Sequence, residues 1–153
     1  MTQTIPTVQS YMTASPYTID ADQTLDVAHA RIYQGRIRHL PVTRLDQLVG
    51  VLTERDLALS AVGAVDLSSI KVEEVMSVAI YKVSASAPLH QVAHEMASKR
   101  LDFAVVVENG AVTGILTTVD ICSAFAASAV ETARLEDLAR LHASQDRTAR
   151  DRR

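Results

Sequence analysis

The stretch Gly50–Leu57, GVLTERDL, returns sixty-four residues later as Gly114–Ile121, GILTTVDI. Glycine, leucine, threonine and aspartate keep their places in both copies, while the residues between them vary. A packing constraint alone preserves apolar character, so a repeated threonine and aspartate need a further reason. Working outward, residues 8–57 lie on residues 72–121 without a gap. Val8, Met12, Tyr17, Ala21, Leu25, Arg36, Val42, Gly50, Leu52, Thr53 and Asp56 meet identical residues, eleven identities in fifty positions. An internal repeat of this length dictates the architecture: two copies of one unit, each too small to bury both faces of a sheet, packed about a pseudo-twofold axis.

Each unit reads strand, helix, strand, strand, helix. Tyr17–Ile19 and Ile80–Val83 supply short leading strands. Asp22 in DQTLDVA and Ser86 in SAPLHQVA occupy matching positions as helix N-caps, and Pro88 suits a first helical turn. Leu25, Ala28 and Ile32, like Leu89, Val92 and Met96, recur at i, i+3 and i+7 and predict one buried helical stripe. RHLPVT and LVGVLT follow as β-rich runs, and the second unit has FAVVVENGAVTGILT, in which Asn109-Gly110 signals a hairpin turn. A further helix begins just after Thr53 and after Thr117. The fold class is α/β of the α+β type, with repeats at residues 8–64 and 70–128 and a helical extension with a basic tail at 129–153.

Composition sets the outer limits. A chain of 153 residues with 48% apolar content can build a core, and 4% aromatic content means that small aliphatic side chains fill it. The net charge of −3 leaves the body without an electrostatic footprint for nucleic acid or an anionic membrane. The ending RTARDRR carries four arginines against one aspartate and reads as a solvated, frayed tail. The single cysteine, Cys122 in DICSAFAA, excludes an internal disulfide and reads as a small buried hydrophobe. No window approaches the apolar length of a membrane span, and MTQTIPTVQSYM has no export pattern, so a cytoplasmic location is expected.

Thr-x-x-Asp at a helix start has two readings. As a capping box, the threonine hydroxyl accepts from a first-turn N–H and the acid favours the helix dipole. As a binding element, a carboxylate at a strand-to-helix junction offers its oxygens to the vicinal hydroxyls of a ribose, with the helix start favouring a phosphate. The residues in isolation support the first.

The wider pattern adds weight to the second. The leads VQSYMT and VEEVMS, an amphipathic helix, HLPV and then GVLTERDL together resemble the CBS domain, named after cystathionine β-synthase, over residues 8 to about 128 as a tandem pair. The resemblance implies a non-catalytic regulatory module that binds an adenosine-containing ligand, such as AMP, ADP, ATP or S-adenosylmethionine, in clefts between the repeats, with no required cofactor. It implies ribose contacts for Asp56 and Asp120, assisted by Thr53 and Thr117. It places Arg38 and His39, and Asp102 and Phe103 in the second copy, near the phosphates or base. It sets Met12 and Tyr17 about the base of one cleft and Met76 and Tyr81 about that of the other. Asp102 beside a phosphate would be repulsive, so unequal occupancy of the two clefts is expected.

Outside that pattern, His90 and His94 stand at i and i+4 with Glu95 beside them, and read as surface residues rather than a metal pair. No ordered nucleophile, Walker motif or dinucleotide glycine pattern is present, so no enzymatic activity is expected. Leu59, Val62, Phe125 and Ala129 either finish the intramolecular core or form a homodimer seam. Leu135, Leu138 and Leu141 mark an amphipathic extension that packs across such a dimer or docks on a client protein. A dimerisation scaffold with vestigial pockets is the alternative function.

Overall fold

The computed structural model describes residues 5–63 and 66–150. Residues up to Thr118 form one compact unit and residues from Val119 another. In chain order the elements are β1 (Thr13–Ala14), β2 (Ile19–Asp20), α1 (Leu25–Gly35), β3 (His39–Arg44), β4 (Gln47–Thr53), α2 (Glu54–Gly63), β5 (Lys82–Val83), α3 (Leu89–Lys99), β6 (Phe103–Glu108), β7 (Ala111–Thr117) and α4 (Thr118–Arg150). Three-residue 3₁₀ turns stand at Val8–Ser10, Leu67–Ser69 and Val72–Glu74.

The strands make two sheets, β2-β3-β4 and β1-β7-β6-β5. In each repeat a short leading strand runs parallel to the first hairpin strand, and the two hairpin strands are antiparallel. The register shifts at matching places, Val42/Thr43 and Val106/Val107. Asn109 and Gly110 close the second hairpin with φ of 52° and 82°, the left-handed pair that the sequence signals. Leu45 and Asp46 close the first with φ of 50° and 61°, the same turn without a glycine to ease it.

Side chains alternate between the two faces of each sheet, and the register shift opposite Val42/Thr43 offsets the alternation within β4. Leu40, Val42 and Leu52 meet Leu25, Ala28 and Ile32 of α1 and Leu57 of α2 in the core of the first repeat. Leu48 and Val51 face Val105 of the second repeat, with Phe103, Val107 and Val112 packed around them. The second helical stripe, Leu89, Val92 and Met96, is likewise buried.

The repeats exchange their leads. Val72 donates its backbone N–H to the Gln23 carbonyl and Glu73 to Ala21, while Val8 and Gln9 make the matching bonds to Ala87 and Ala85. Val72 is fully buried in the first repeat's core. Each pair of bonds is the other moved by the repeat offset, which is the pseudo-twofold relation in backbone form.

This exchange corrects the helix starts. Asp22 and Ser86 are not N-caps; the cap positions are Thr24 and Pro88, neither with a side-chain cap bond. The Leu25 N–H goes instead to the Ile70 carbonyl and the Leu89 N–H to Pro6, so each helix start is satisfied by backbone from the other repeat's lead. The polar groups upstream are engaged locally: the Asp20 carboxylate accepts the Asp22 N–H, and the Ser84 hydroxyl accepts that of Ser86. The leading strands are also shorter than expected, because only two residues of each pair with the hairpin.

Cys122 is exposed, not buried. It lies on α4 in the apolar run DICSAFAA, whose Phe125 is likewise exposed. The helix itself continues through Arg150 and takes in the start of the basic ending expected to fray, while Asp151–Arg153 lie outside the described residues. Among the described residues no helix is long and apolar enough to cross a membrane.

Candidate functional site

The motif glycines are explained by the motif methionines. A Cβ at Gly50 would lie 2.8 Å from Cγ and 3.1 Å from Cβ of Met76, and one at Gly114 would lie 3.2 Å from Cγ of Met12. Each lead therefore lies across the other repeat's last strand, so that a side chain at Gly50 would press on Cγ and Cβ of Met76 and one at Gly114 on the Met12 side chain. The backbones join there too. Thr13 and Ala14 pair with Ile115 and Gly114, and Val51 and Ser77 exchange two bonds of 2.9 Å. Met12 and Met76 thus fasten the repeats together at the edges where the Thr-x-x-Asp motifs begin.

At the first motif the Asp56 carboxylate closes the cap with one of its two oxygens. Oδ2 of Asp56 accepts from the Thr53 N–H at 2.8 Å and from its hydroxyl at 2.7 Å, and the Asp56 N–H donates to Thr53 Oγ1 at 3.2 Å. That is the capping box, closed reciprocally. The other oxygen, Oδ1, has no partner among the described residues and remains able to accept from a ligand. In the second copy Thr117 ends β7 opposite Phe103, and Asp120 stands in the first turn of α4. The strand-to-helix junctions match, since Glu54 donates to the Arg38 carbonyl at 2.9 Å and Thr118 donates to that of Asp102 at 3.0 Å.

The pair before β3 points two ways. His39 faces the second repeat, where its ring meets that of Phe103 with centroids 4.4 Å apart and planes tilted by 39°. Burial holds the His39 imidazole below its ordinary pKa, Asp102 opposes that shift and Arg38 adds to it. Arg38 has the parity of Leu40, the helix side of the sheet. Its Nε stands 4.0 Å from Glu54, both side chains being largely exposed, and it lines a groove between α1 and α2 that Thr53, Asp56 and His39 do not line. The structure therefore brings together Thr53 with Asp56, and His39 with Phe103, and sets Arg38 on a different face from His39.

The two tyrosines differ in surroundings, which the sequence reading did not find. Tyr81 donates its hydroxyl to Glu95 at 2.8 Å, and the Lys99 ammonium lies 5.6 Å from the ring centroid. Burial first, then the bond to Glu95 and its charge, push the Tyr81 hydroxyl up to about 12. Hydrogen bonds from Lys99 and then Tyr81 hold the Glu95 carboxyl below its usual range. Tyr17 is 59% exposed and rests beside Gly35, and the position matching Glu95 is Arg31, whose guanidinium donates to the Thr18 carbonyl. The signal was present in the sequence as the exchange of Arg31 and Gly35 for Glu95 and Lys99. Glu95 is thereby engaged, and among the described residues no three His, Cys, Asp or Glu side chains are grouped to hold a metal.

Comparison with known proteins agrees with this arrangement. The CBS domain family matches residues 8–63 and again 72–127. The Bacillus subtilis (strain 168) protein YlbB is 30% identical over 117 residues, which cover 74% of this chain and 78% of that protein. The crystal structure of the CBS domain pair of protein MJ0100, in complex with 5′-methylthioadenosine and S-adenosyl-L-methionine, superposes with a TM-score of 0.73 at 25% identity, covering 82% of this chain and 99% of that one. The CBS domain of a bacterial CNNM/CorC family Mg2+ transporter gives a TM-score of 0.67 at 26% identity, over 76% of this chain and 72% of that one. With two family matches, two exchanged leads and two motif junctions of one design, the chain belongs to the CBS domain family as a tandem pair.

Proposed function

We propose that this CBS pair senses an adenosine-containing ligand, in the class of AMP, ADP, ATP and S-adenosylmethionine, and passes the resulting change of shape to a partner. The observation that carries this reading is the Asp56 carboxylate, with Oδ2 fixed by Thr53 and Oδ1 without a protein partner. A carboxylate held in one orientation by its cap is preorganised to accept ribose hydroxyls. The adenosine compounds bound to the related MJ0100 pair support the ligand class.

In this reading Asp56 and Asp120 take ribose, with Thr53 and Thr117 assisting. Met12 and Tyr17 border one base and Met76 and Tyr81 the other, and His39 serves phosphate, while Asp102 and Phe103 stand at the matching places in the second copy; Arg38, which lines the groove between α1 and α2 instead, is not among these contacts. Tyr81 is occupied by Glu95 and Lys99 whereas Tyr17 is open, which supports unequal clefts. Ligand energy can shift the shape only through different affinity for the two states. The pair works as a cytoplasmic homodimer, with the C-terminal helix free for a client protein.

A thermal-shift panel of AMP, ADP, ATP and S-adenosylmethionine tests the reading, because a ligand selective for the native state raises the melting temperature. One of the four should raise it for the natural chain and lose that effect in Asp56→Ala. No response to any of them would leave the dimerisation scaffold as the function.

A further inference from the structure

The two leads are fastened by unequal means. Glu73 of the second lead pairs with Arg44, and Lys71 stands 3.7 Å from Asp22 and 3.8 Å from Glu73. The matching places, Gln9, Glu108, Thr7 and Ser86, offer none of these pairs, and residues 5–14 contain no charged side chain at all. The first lead is held by the burial of Val8 and by backbone: Val8 donates to Ala87, Gln9 to Ala85 and Leu89 to Pro6, each at 2.9 Å, while Thr13 and Ala14 pair with Ile115 and Gly114. Within the pair this lead is joined to the rest only through residues 15–18, whereas the second is joined on both sides, to α2 and to β5. The single link is strained. Ser15 has φ of 48°, and its counterpart Ala79 is not left-handed. A non-glycine residue rarely holds that conformation, and Pro16 biases the residue before it towards extended backbone. Folding the lead back onto its own chain therefore holds Ser15 against two local preferences.

We infer that the first lead swaps between two copies of this chain, each copy's Val8 and Met12 docking on the second repeat of the other. The receiving surface is the same in the closed and the swapped form, so the contacts of Val8 to Ala14 are kept. The difference lies in the link, where an extended Ser15 relieves the strain. The edge of β7 that takes Thr13 and Ala14 is a backbone surface open to any strand of this sequence, its own or a second copy's. In the swapped form Met12 of one copy lies over Gly114 of the other. The inference rests on the link and the leads, and does not depend on the adenosine reading.

The test traps the lead on its host through a disulfide across the Thr13–Ile115 pair. Sedimentation alone would not separate a swap from association through the helices, whereas this bond does. Cys122→Ser first removes the natural thiol from the full chain. In that background Thr13→Cys and Ile115→Cys together on one chain show that the two positions can join. The substitutions are then placed on separate chains of different mass, mixed at high concentration, brought to equilibrium and briefly oxidised. A disulfide-linked heterodimer should form. Ser15→Gly, which takes the left-handed backbone without strain, should lower its yield by about fivefold or more, the scale of one left-handed non-glycine residue. Ser15→Pro, whose φ is fixed at about −65°, should raise it. If that variant fails to fold, the glycine comparison still decides. If the thiols do not join even on one chain, isotope-filtered NMR contacts between the Met12 methyl of one copy and Gly114 of a differently labelled copy decide instead. Absence of those contacts, absence of heterodimer where the doubly substituted chain does bond, or a yield unchanged by Ser15→Gly would each overturn the inference.

Discussion

His39 and Phe103, the same position in the two repeats, meet ring against ring with centroids 4.4 Å apart and planes tilted by 39°. A residue can touch its own repeat equivalent only close to the axis that relates the copies, so this pair marks where the pseudo-twofold passes. The contact makes the repeats unequal at their centre, because one ring titrates and the other does not.

The first prediction follows from that ring. Burial lowers the His39 pKa from its ordinary 6.5, so between the folded and unfolded values the unfolded chain holds more protons. The folded state is therefore favoured above the unfolded pKa and loses that advantage as pH falls through and below it. Denaturation midpoints of the natural chain should fall between about pH 7.5 and about pH 5.5, the range in which an ordinary histidine gains its charge. His39→Phe, which keeps the ring contact without a titrating group, should flatten that part of the curve. A variant that reproduced the natural slope would assign the titration elsewhere.

Asp56 has Oδ2 in the cap and Oδ1 as the proposed ribose acceptor, and two substitutions separate the cap from the proposed contact. Asp56→Ala removes both, so it should weaken adenosine-ligand binding and lower stability by about 1 kcal/mol, the usual worth of a helix cap. Thr53→Ala disturbs the cap while leaving Oδ1 in place, and should cost similar stability with a smaller loss of affinity. Calorimetry and chemical denaturation on the same samples decide this. Equal loss of affinity in both variants would mean that the ligand reads the cap, not the free oxygen. Asp120→Ala should also weaken binding, by a different amount.

The repeat itself was open to view, because Leu25, Ala28 and Ile32 keep their helical spacing in both copies and Asn109-Gly110 announces its own turn. Helix starts were not, since the partners of the Leu25 and Leu89 N–H groups are carbonyls of Ile70 and Pro6, distant in sequence and carrying no residue-type signal. The turn at Leu45-Asp46 was hidden because the fold imposes left-handed conformations there on residues that do not prefer them. At the site, the identity of Gly50 and Gly114 was visible while its cause was not. Only the exchange of leads reveals that Met76 and Met12 lie over them.

The clasp on Tyr81 makes a third prediction. Its hydroxyl, pushed up to about 12, should give a late phase in an ultraviolet titration, and Tyr81→Phe should remove that phase. Glu95→Gln withdraws the charge that opposes tyrosinate and should bring the phase back towards 10, the ordinary value. If Glu95 and Lys99 also keep the second cleft closed to a base, Glu95→Gln with Lys99→Ala should bring the two clefts' affinities closer. Binding stoichiometry measured by calorimetry would register the change, and unaltered occupancy would confine the clasp to a structural role.

The last prediction concerns assembly. Leu59, Val62 and Phe125 are 65%, 88% and 76% exposed, so they do not complete the core of the single chain. Large apolar side chains left in water at the end of folding favour association with a complementary surface, and a twofold dimer supplies one from the same residues. The protein should sediment as a dimer at micromolar concentration. Leu59→Asp, at a site where the isolated chain buries little, should shift it to monomer while leaving its melting behaviour at high dilution unchanged. Removing residues 130–153, which include the exposed Leu135, Leu138 and Leu141, should weaken the dimer only in part. A clean monomer for the full chain would defeat the seam at α2. Dissociation caused by truncation but not by Leu59→Asp would move it to the C-terminal helix.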